Sequence, residues 1–190
     1  MKTLKIKTYV LMVSTKYPAY HKRKGEPTYF PEKIKELLSE SKECTNCIVC
    51  SSESCLHRKK ILQNKNYIKP NYPDKLHTIR SNYPLWEKRI KEILEGKAIL
   101  SIRYHSLGRY VKGNKQIEIC KLNKDSGIGI QKLEFWYNLT NNAQVDDRLY
   151  PTISELSKND GLNIIDFKEW FKPYDLSEPM AVIWFVDKRY

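Results

Sequence analysis

One short strand with polar side chains on both faces most constrains how this chain can fold. Residues 75–80 read Lys-Leu-His-Thr-Ile-Arg, a β-favouring run that carries four polar or charged side chains. Alternation along a strand places Lys75 and His77 on one face. It places Thr78 and Arg80 on the other. Because burying a polar side chain without a partner costs free energy, we expect this strand to line a polar cleft. An edge strand with one face in solvent is the alternative.

The elements around this strand are marked by turn-forming and capping residues. Residues 70–74 read Pro-Asn-Tyr-Pro-Asp and form a turn before the strand. Capping signals and apolar spacing predict a helix over 31–41 and another over 84–95, which Asn82 or Ser81 can cap. They also predict two short helices, one that begins with a capping box of Thr152 and Glu155 and one that Asn163 caps. Alternating apolar residues predict strands over 4–13, 98–104, 116–122, 128–136 and 181–186, and the Asn-rich stretch 137–148 is predicted to be a surface loop. This pattern indicates an α+β fold with a small, mostly antiparallel β-barrel.

Positive charge is in excess along the chain. There are 34 Lys and Arg residues against 22 Asp and Glu, which gives a net charge of +12. Such an excess favours polyanionic partners such as RNA, DNA or nucleotides. One loop concentrates this positive charge, with Lys22, Arg23 and Lys24 following Tyr20. Cations beside tyrosines can hold phosphates and stack bases. A solvated charged loop is the alternative interpretation.

Three further residues are candidates for the same anionic ligand. Arg103 and His105 are two apart on a predicted strand, so their side chains point together. His77 can stack on a base or titrate near neutral pH, while a hydrogen-bonded structural histidine is the alternative. No apolar run approaches the ~20 residues that a membrane span needs, and no signal-peptide core is visible. We therefore expect a cytoplasmic protein without a membrane partner.

A cluster of cysteines predicts a metal site. Four of the five cysteines lie within residues 44–55, and a histidine follows them. Thiolates two residues apart can reach one ion, and four sulfur or nitrogen donors complete the tetrahedron that zinc prefers. The predicted zinc ligands are Cys44, Cys47, Cys50 and Cys55, with His57 as the alternative fourth donor. The zinc would be structural and would hold together a polar insertion. An iron–sulfur cluster and unmetallated thiols are the alternatives.

Several short motifs follow one another in a fixed order through the C-terminal part of the chain. They are Lys75-x-x-Thr78-Ile79-Arg80 before a helix, strands from Ala98 and Gln116, Asn159-Asp160-Gly161-Leu162 before Asp166-Phe167 and Trp170-Phe171, and a closing strand from Ala181. This order resembles the ASCH domain family of the PUA-like superfamily of small β-barrels. The resemblance covers about residues 70–190 and implies a barrel with a cleft for RNA, DNA or a modified nucleoside or nucleotide.

The resemblance also implies a division of the chain. Residues 1–42 would supply an N-terminal strand, the basic loop and a helix packed on the barrel. Residues 43–69 would form the Cys-rich insertion, which is not part of the family pattern, and residues 70–190 the ASCH-like β-barrel with its flanking helices.

One branch of the ASCH family resembles an amidohydrolase that removes the acetyl group from acetylated cytidine. By that resemblance Thr78 would be the nucleophile, Lys75 its base, and Asp160 the acid, where the family has the longer glutamate. A hydroxyl needs a base to become a good nucleophile, and a lysine whose pKa is lowered can be that base. Since residues three apart on a regular strand face opposite sides, Lys75 and Thr78 meet only where the backbone bends.

The sequence leaves three functions open. The first is a binding protein that holds nucleic acid or a modified nucleotide through Arg80, Lys75 and nearby aromatic residues. The second is a hydrolase of an N-acylated nucleoside. The third is a protein-interaction adaptor that makes its contact through the zinc-stapled insertion.

Overall fold

The computed structural model describes residues 6–40, 74–136, 143–147 and 149–190. These ranges contain seven strands and four helices, so the predicted α+β class is confirmed. In chain order the elements are β1 (Lys7–Met12), α1 (Phe30–Glu40), β2 (His77–Arg80), α2 (Tyr83–Leu94), β3 (Ala98–His105), β4 (Gln116–Leu122), β5 (Gly129–Phe135), β6 (Ala143–Val145), α3 (Ile153–Asn159), α4 (Ile164–Phe171) and β7 (Met180–Trp184).

The strands form two open sheets. The first has three strands in the order β1-β3-β4, with β1 parallel to β3 and β4 antiparallel to it. The second has four strands in the order β2-β7-β5-β6, and all its neighbours are antiparallel. Among the described residues no backbone ladder joins one sheet to the other, so the predicted closure into a barrel is not observed. A side chain joins them instead, because Nη2 of Arg80 in β2 donates to the carbonyl of Met12 in β1 at 2.6 Å.

A single apolar core connects the two sheets with the helices. Helix α2 buries Trp86, Ile90 and Ile93 and packs against strands of both sheets. Helix α1 adds Phe30 and Ile34 to the same core. None of the helices in the described part of the chain is both long and apolar enough to cross a membrane.

Helix starts follow the predicted caps. The Asn82 side chain accepts a hydrogen bond from the backbone N–H of Leu85, which caps α2. Thr152 and Glu155 form the predicted capping box at the start of α3. Asn163 caps α4 in the same way as Asn82 caps α2. These short-range signals therefore determine where the helices near the site begin.

The N-terminal strand belongs to the same sheet as residues from the predicted barrel domain. β1 pairs with β3 along its whole length, from Lys7 opposite Ala98 to Met12 opposite Arg103. The predicted insertion 43–69 lies outside the described residues.

The prediction of a surface loop over 137–148 is wrong for residues 143–145. Ala143–Val145 forms β6 and pairs with β5, with Val145 opposite Leu133. Ala143 and Val145 are buried and Gln144 between them is not. An alternation of only three residues inside an Asn-rich stretch is too short to be recognised as a strand, so pairing with β5 decides this element.

Candidate functional site

The candidate site forms where the end of α3 meets the residues just before β2. Lys75 makes an isolated antiparallel bridge with Asp160. On either side of this bridge, the N–H of Leu76 donates to the carbonyl of Asn159 at 2.8 Å, and the N–H of Phe185 donates to the carbonyl of Leu76 at 3.0 Å. Backbone hydrogen bonds thus fix Lys75 directly against the turn that contains Asp160.

The Lys75 side chain is almost completely enclosed, with 1% of its surface exposed. Its Nζ donates to both the backbone carbonyl and the Oδ1 of Asp160, at 2.7 and 2.9 Å. It also lies 3.9 Å from the centre of the Phe30 ring. Burial lowers the pKa of Lys75 to about 8, and the nearby carboxylate of Asp160 only partly opposes that shift.

The carboxyl group of Asp160 is buried with the lysine. Burial by itself disfavours its charged form, but the positive charge of Lys75, the nearby His77 ring and the hydrogen bond from Lys75 together outweigh this, and the pKa of Asp160 lies below its ordinary value. The two groups therefore form a buried ion pair at neutral pH.

A glycine makes the close approach of this turn possible. Gly161 has a φ of +76°, and a Cβ on it would lie 3.0 Å from the Cβ of Lys75. The carbonyl of Gly161 accepts a hydrogen bond of 2.5 Å from Nζ of Lys33, a second buried lysine that comes from α1. Burial, and then the charge of Lys75, lowers the pKa of Lys33 to about 8. Two lysines from distant parts of the chain thus meet at one turn.

His77 shares the face of Lys75, as strand alternation predicts. Its Nδ1 lies 3.7 Å from Oδ1 of Asp160, beyond hydrogen-bond distance, and is a buried nitrogen with no hydrogen-bonding partner among the described residues. Its Nε2 lies 2.8 Å from the hydroxyl of Tyr190, which also accepts a hydrogen bond from Asn159. Burial lowers the pKa of His77, so the ring is neutral at neutral pH.

Thr78 is not brought together with Lys75. Residues 77–80 pair in unbroken antiparallel register with 184–181 of β7, so alternation turns Thr78 away from His77. The bend that a Lys75–Thr78 pair requires is therefore absent from β2. Within the described residues the Thr78 hydroxyl makes no hydrogen bond to Lys75 or Asp160. The ammonium group of Lys75 binds Asp160 instead.

The side chains of the basic loop largely bind the protein itself. The Tyr20 hydroxyl donates to the carbonyl of Trp170 at 3.0 Å, and Lys22 forms an ion pair of 3.2 Å with Glu169. Nη1 of Arg23 lies 2.7 Å from the buried carboxylate of Asp166 and donates to it. These contacts dock the loop on α4, while Lys24 is exposed to solvent.

Arg103 and His105 lie in the other sheet and have local partners. Nε of Arg103 donates to Ser101 at 2.8 Å, and its Nη2 lies 3.4 Å from Glu118. Nδ1 of His105 lies 2.6 Å from the side-chain nitrogen of Asn114. No hydrogen bond or ion pair joins either side chain to Lys75 or Arg80 in the described structure.

The predicted zinc ligands belong to the part of the chain between the described ranges 6–40 and 74–136. Cys44, Cys47, Cys50, Cys55 and the alternative His57 all lie outside the described residues. Among the residues that are described, no group of three or more His, Cys, Asp and Glu side chains is arranged to hold a metal ion. Zinc binding stays a prediction for residues 44–57.

Two parts of the site carry no recognisable sequence signal. Lys33 is one of several lysines on a helix with mixed charge, and nothing in its spacing marks it as buried. Tyr190 follows the last strand, yet its N–H donates to Oε1 of Gln131 at 3.0 Å, and the same oxygen accepts from Nε1 of Trp184. Both residues enter the site through long-range packing alone.

Comparison with known proteins provides no relative from which a function could be transferred. No protein-family model, no curated protein and no solved structure matches this chain.

Proposed function

We propose that this chain binds a nucleic acid or a modified nucleotide, with Arg80 as the residue that contacts its phosphate or carbonyl oxygens. Arg80 is only half-buried, whereas Lys75 and His77 behind it are enclosed. In this proposal the Lys75–Asp160 pair positions the strand, and Arg80 supplies the hydrogen bonds.

The observation that carries the proposal is the unused bonding capacity of the Arg80 guanidinium. A guanidinium has five N–H donors in a planar fork that matches phosphate and carbonyl oxygens. Among the described residues Arg80 makes a single side-chain hydrogen bond, to the carbonyl of Met12. Donors are therefore left over for a ligand at the joint between the two sheets.

The balance of charge around Arg80 favours an anionic ligand. The carboxylate of Asp160 acts electrostatically on both Lys75 and Arg80, but its Oδ1 is already bound to Lys75. One carboxylate offsets one of the two cations, so a positive charge is left over in a partly buried setting, where it acts more strongly than in water. The net charge of +12 adds long-range attraction for a polyanion.

We also propose that this chain is related to the PUA-like superfamily. The relationship rests on the order of the motifs between Lys75 and the closing strand. In this proposal the open pair of sheets is a variant of the small barrel of that superfamily. Localisation in the cytoplasm, where nucleic-acid ligands are available, likewise belongs to the proposal.

The proposal is tested by binding of fluorescein-labelled RNA and DNA oligonucleotides of about 12 nucleotides, a length within the usual footprint of small single-strand binders. We expect the affinity to fall steeply between about 50 and 200 mM salt. Arg80→Ala should raise Kd by about 10- to 100-fold, because hydrogen bonds to charged groups are removed. Lys91→Ala, which removes the same charge from an exposed position on α2, is the matched control. Equal affinities of the two variants would contradict the role of Arg80.

The lowered pKa of Lys75 favours a second candidate, the hydrolysis of an N-acylated nucleoside such as acetylated cytidine. A lysine with a pKa of about 8 is deprotonated often enough near neutral pH to act as a base. With Thr78 as nucleophile, strand β2 has to bend on substrate binding, because Thr78 lies on the opposite face from His77. Acetate release that disappears in both Thr78→Val and Lys75→Met would support this function. Release that survives Thr78→Val would exclude threonine as the nucleophile.

A further inference from the structure

The turn between β3 and β4 exposes apolar and cationic side chains together. We call residues 106–115 the basic hairpin. Its three large apolar residues, Leu107, Tyr110 and Val111, are 55%, 89% and 53% exposed. Its three cations, Arg109, Lys112 and Lys115, are exposed as well, and the segment contains no aspartate or glutamate. A ring as exposed as that of Tyr110 gains nothing from the protein core.

Hydrogen bonds hold the basic hairpin in one conformation. The N–H of Ser106 donates to the carbonyl of Lys115 at 2.9 Å, and the N–H of Asn114 donates to the carbonyl of Val111 at 3.1 Å. The side-chain oxygen of Asn114 accepts from the N–H of Leu107 at 3.3 Å. The exposed residues therefore stand on an ordered loop, and binding through them costs little backbone conformational entropy.

The cations of the basic hairpin are not paired with any carboxylate that the structure describes. In the described ranges none of Arg109, Lys112 and Lys115 forms an ion pair with a carboxylate. The guanidinium of Arg109 lies 5.4 Å from the centre of the Tyr110 ring, so positive charge and an open ring occupy the same tip. The tip therefore combines uncompensated positive charge with a π-surface.

We infer that the basic hairpin binds single-stranded nucleic acid, with one base stacked on Tyr110 and backbone phosphates contacted by the three cations. This inference rests on the proposed function and gives it a contact surface separate from Arg80. Every base has a π-face that can stack on a tyrosine, whereas phosphates are the natural partners of exposed lysine and arginine. A single strand fits better than a duplex, because the bases of a duplex are already stacked on one another.

Removal of the ring is the first test. With a fluorescein-labelled oligouridylate of about 12 nucleotides, Tyr110→Ala should raise Kd by about fivefold or more, since the base no longer stacks on an aromatic side chain. Tyr110→Phe keeps the ring and should bind as the unmodified protein does. Both variants alter a fully exposed position, and their melting curves should match that of the unmodified protein.

Removal of the charges is the second test. The triple variant Arg109→Ala/Lys112→Ala/Lys115→Ala should make the slope of log Kobs against log salt shallower by about 2, because each phosphate that a cation neutralises contributes about 0.7 to that slope. The control removes three exposed lysines elsewhere, in Lys158→Ala/Lys168→Ala/Lys172→Ala, and has the same net charge. We expect the slope of the control to stay unchanged.

The outcomes separate this inference from the proposed function. Salt-dependent binding that neither hairpin variant weakens would overturn the hairpin inference and leave the proposed function standing. No binding of any RNA or DNA oligonucleotide by the unmodified protein would overturn both. Binding to vesicles of phosphatidylcholine with about a third phosphatidylserine, abolished in the hairpin variants while oligonucleotide binding stays intact, would identify a membrane surface as the target instead.

Discussion

Replacement of Asp160 by asparagine leaves Lys75 buried without its counter-charge. The asparagine keeps the size of the side chain and its oxygen, so the change removes mainly the negative charge. In the native protein the Lys75 side chain is 1% exposed, and its Nζ lies 2.9 Å from Oδ1 of Asp160. Removal of one member of a buried ion pair costs about 3–5 kcal/mol, since the other charge stays buried and uncompensated. We therefore expect Asp160→Asn to lower the free energy of unfolding by that amount at pH 6.

The pH dependence of this loss follows from the pKa of Lys75. Its pKa is about 8 in the folded protein and 10.5 in a solvated lysine, so the unfolded chain binds more protons between these values. Stability contributed through Lys75 therefore rises with pH from about 8 to about 10.5. Without Asp160 the pKa of Lys75 falls further, and the lysine loses its proton at lower pH. The difference in stability between variant and native protein should then shrink as the pH is raised from 6 to about 9.

Urea unfolding followed by circular dichroism at several pH values measures both effects. Asp125→Asn is the matched control, because Asp125 forms an exposed pair of 2.8 Å with Lys124 and should cost about 1 kcal/mol or less. The double variant Asp160→Asn/Lys75→Met, which removes both charges, should recover part of the loss. A loss below about 1 kcal/mol for Asp160→Asn, equal at every pH, would refute the buried ion pair.

Three further predictions concern the turn, the C-terminal residue and the cysteines. In urea unfolding, Gly161→Ala should lower the free energy of unfolding by about 1–3 kcal/mol more than Gly113→Ala does. Both glycines have positive φ, but of the two only at position 161 would the new Cβ meet a neighbour, at 3.0 Å. Tyr190→Phe removes the hydroxyl that lies 2.8 Å from Nε2 of His77 and should cost about 1–3 kcal/mol; a loss near zero would show that water replaces it. Metal analysis of the purified protein should find zinc that is absent from Cys47→Ser, and protein free of metal would end the zinc prediction.

Local signals in the sequence located the described elements of the fold except β6, which depends on its pairing with β5. The caps at Asn82, Thr152 and Asn163 act within three residues, so they work in the same way whatever the rest of the chain does. Alternation likewise placed Lys75 and His77 on one face of the strand, and the structure brings both to Asp160.

Contacts between distant residues decided what this strand faces. The packing of α1, α3 and β1 around β2 decides three contacts of the site. It pairs Lys75 with Asp160, brings Lys33 to the same turn and lets Arg80 reach Met12. The basic loop shows the same limit, because its arginine binds Asp166 of α4, which is far away in the sequence. Spacing along a chain determines which side chains share a face, since backbone geometry repeats locally. Which side chains meet across space, and how far burial shifts the pKa of each, is determined only when the elements have packed.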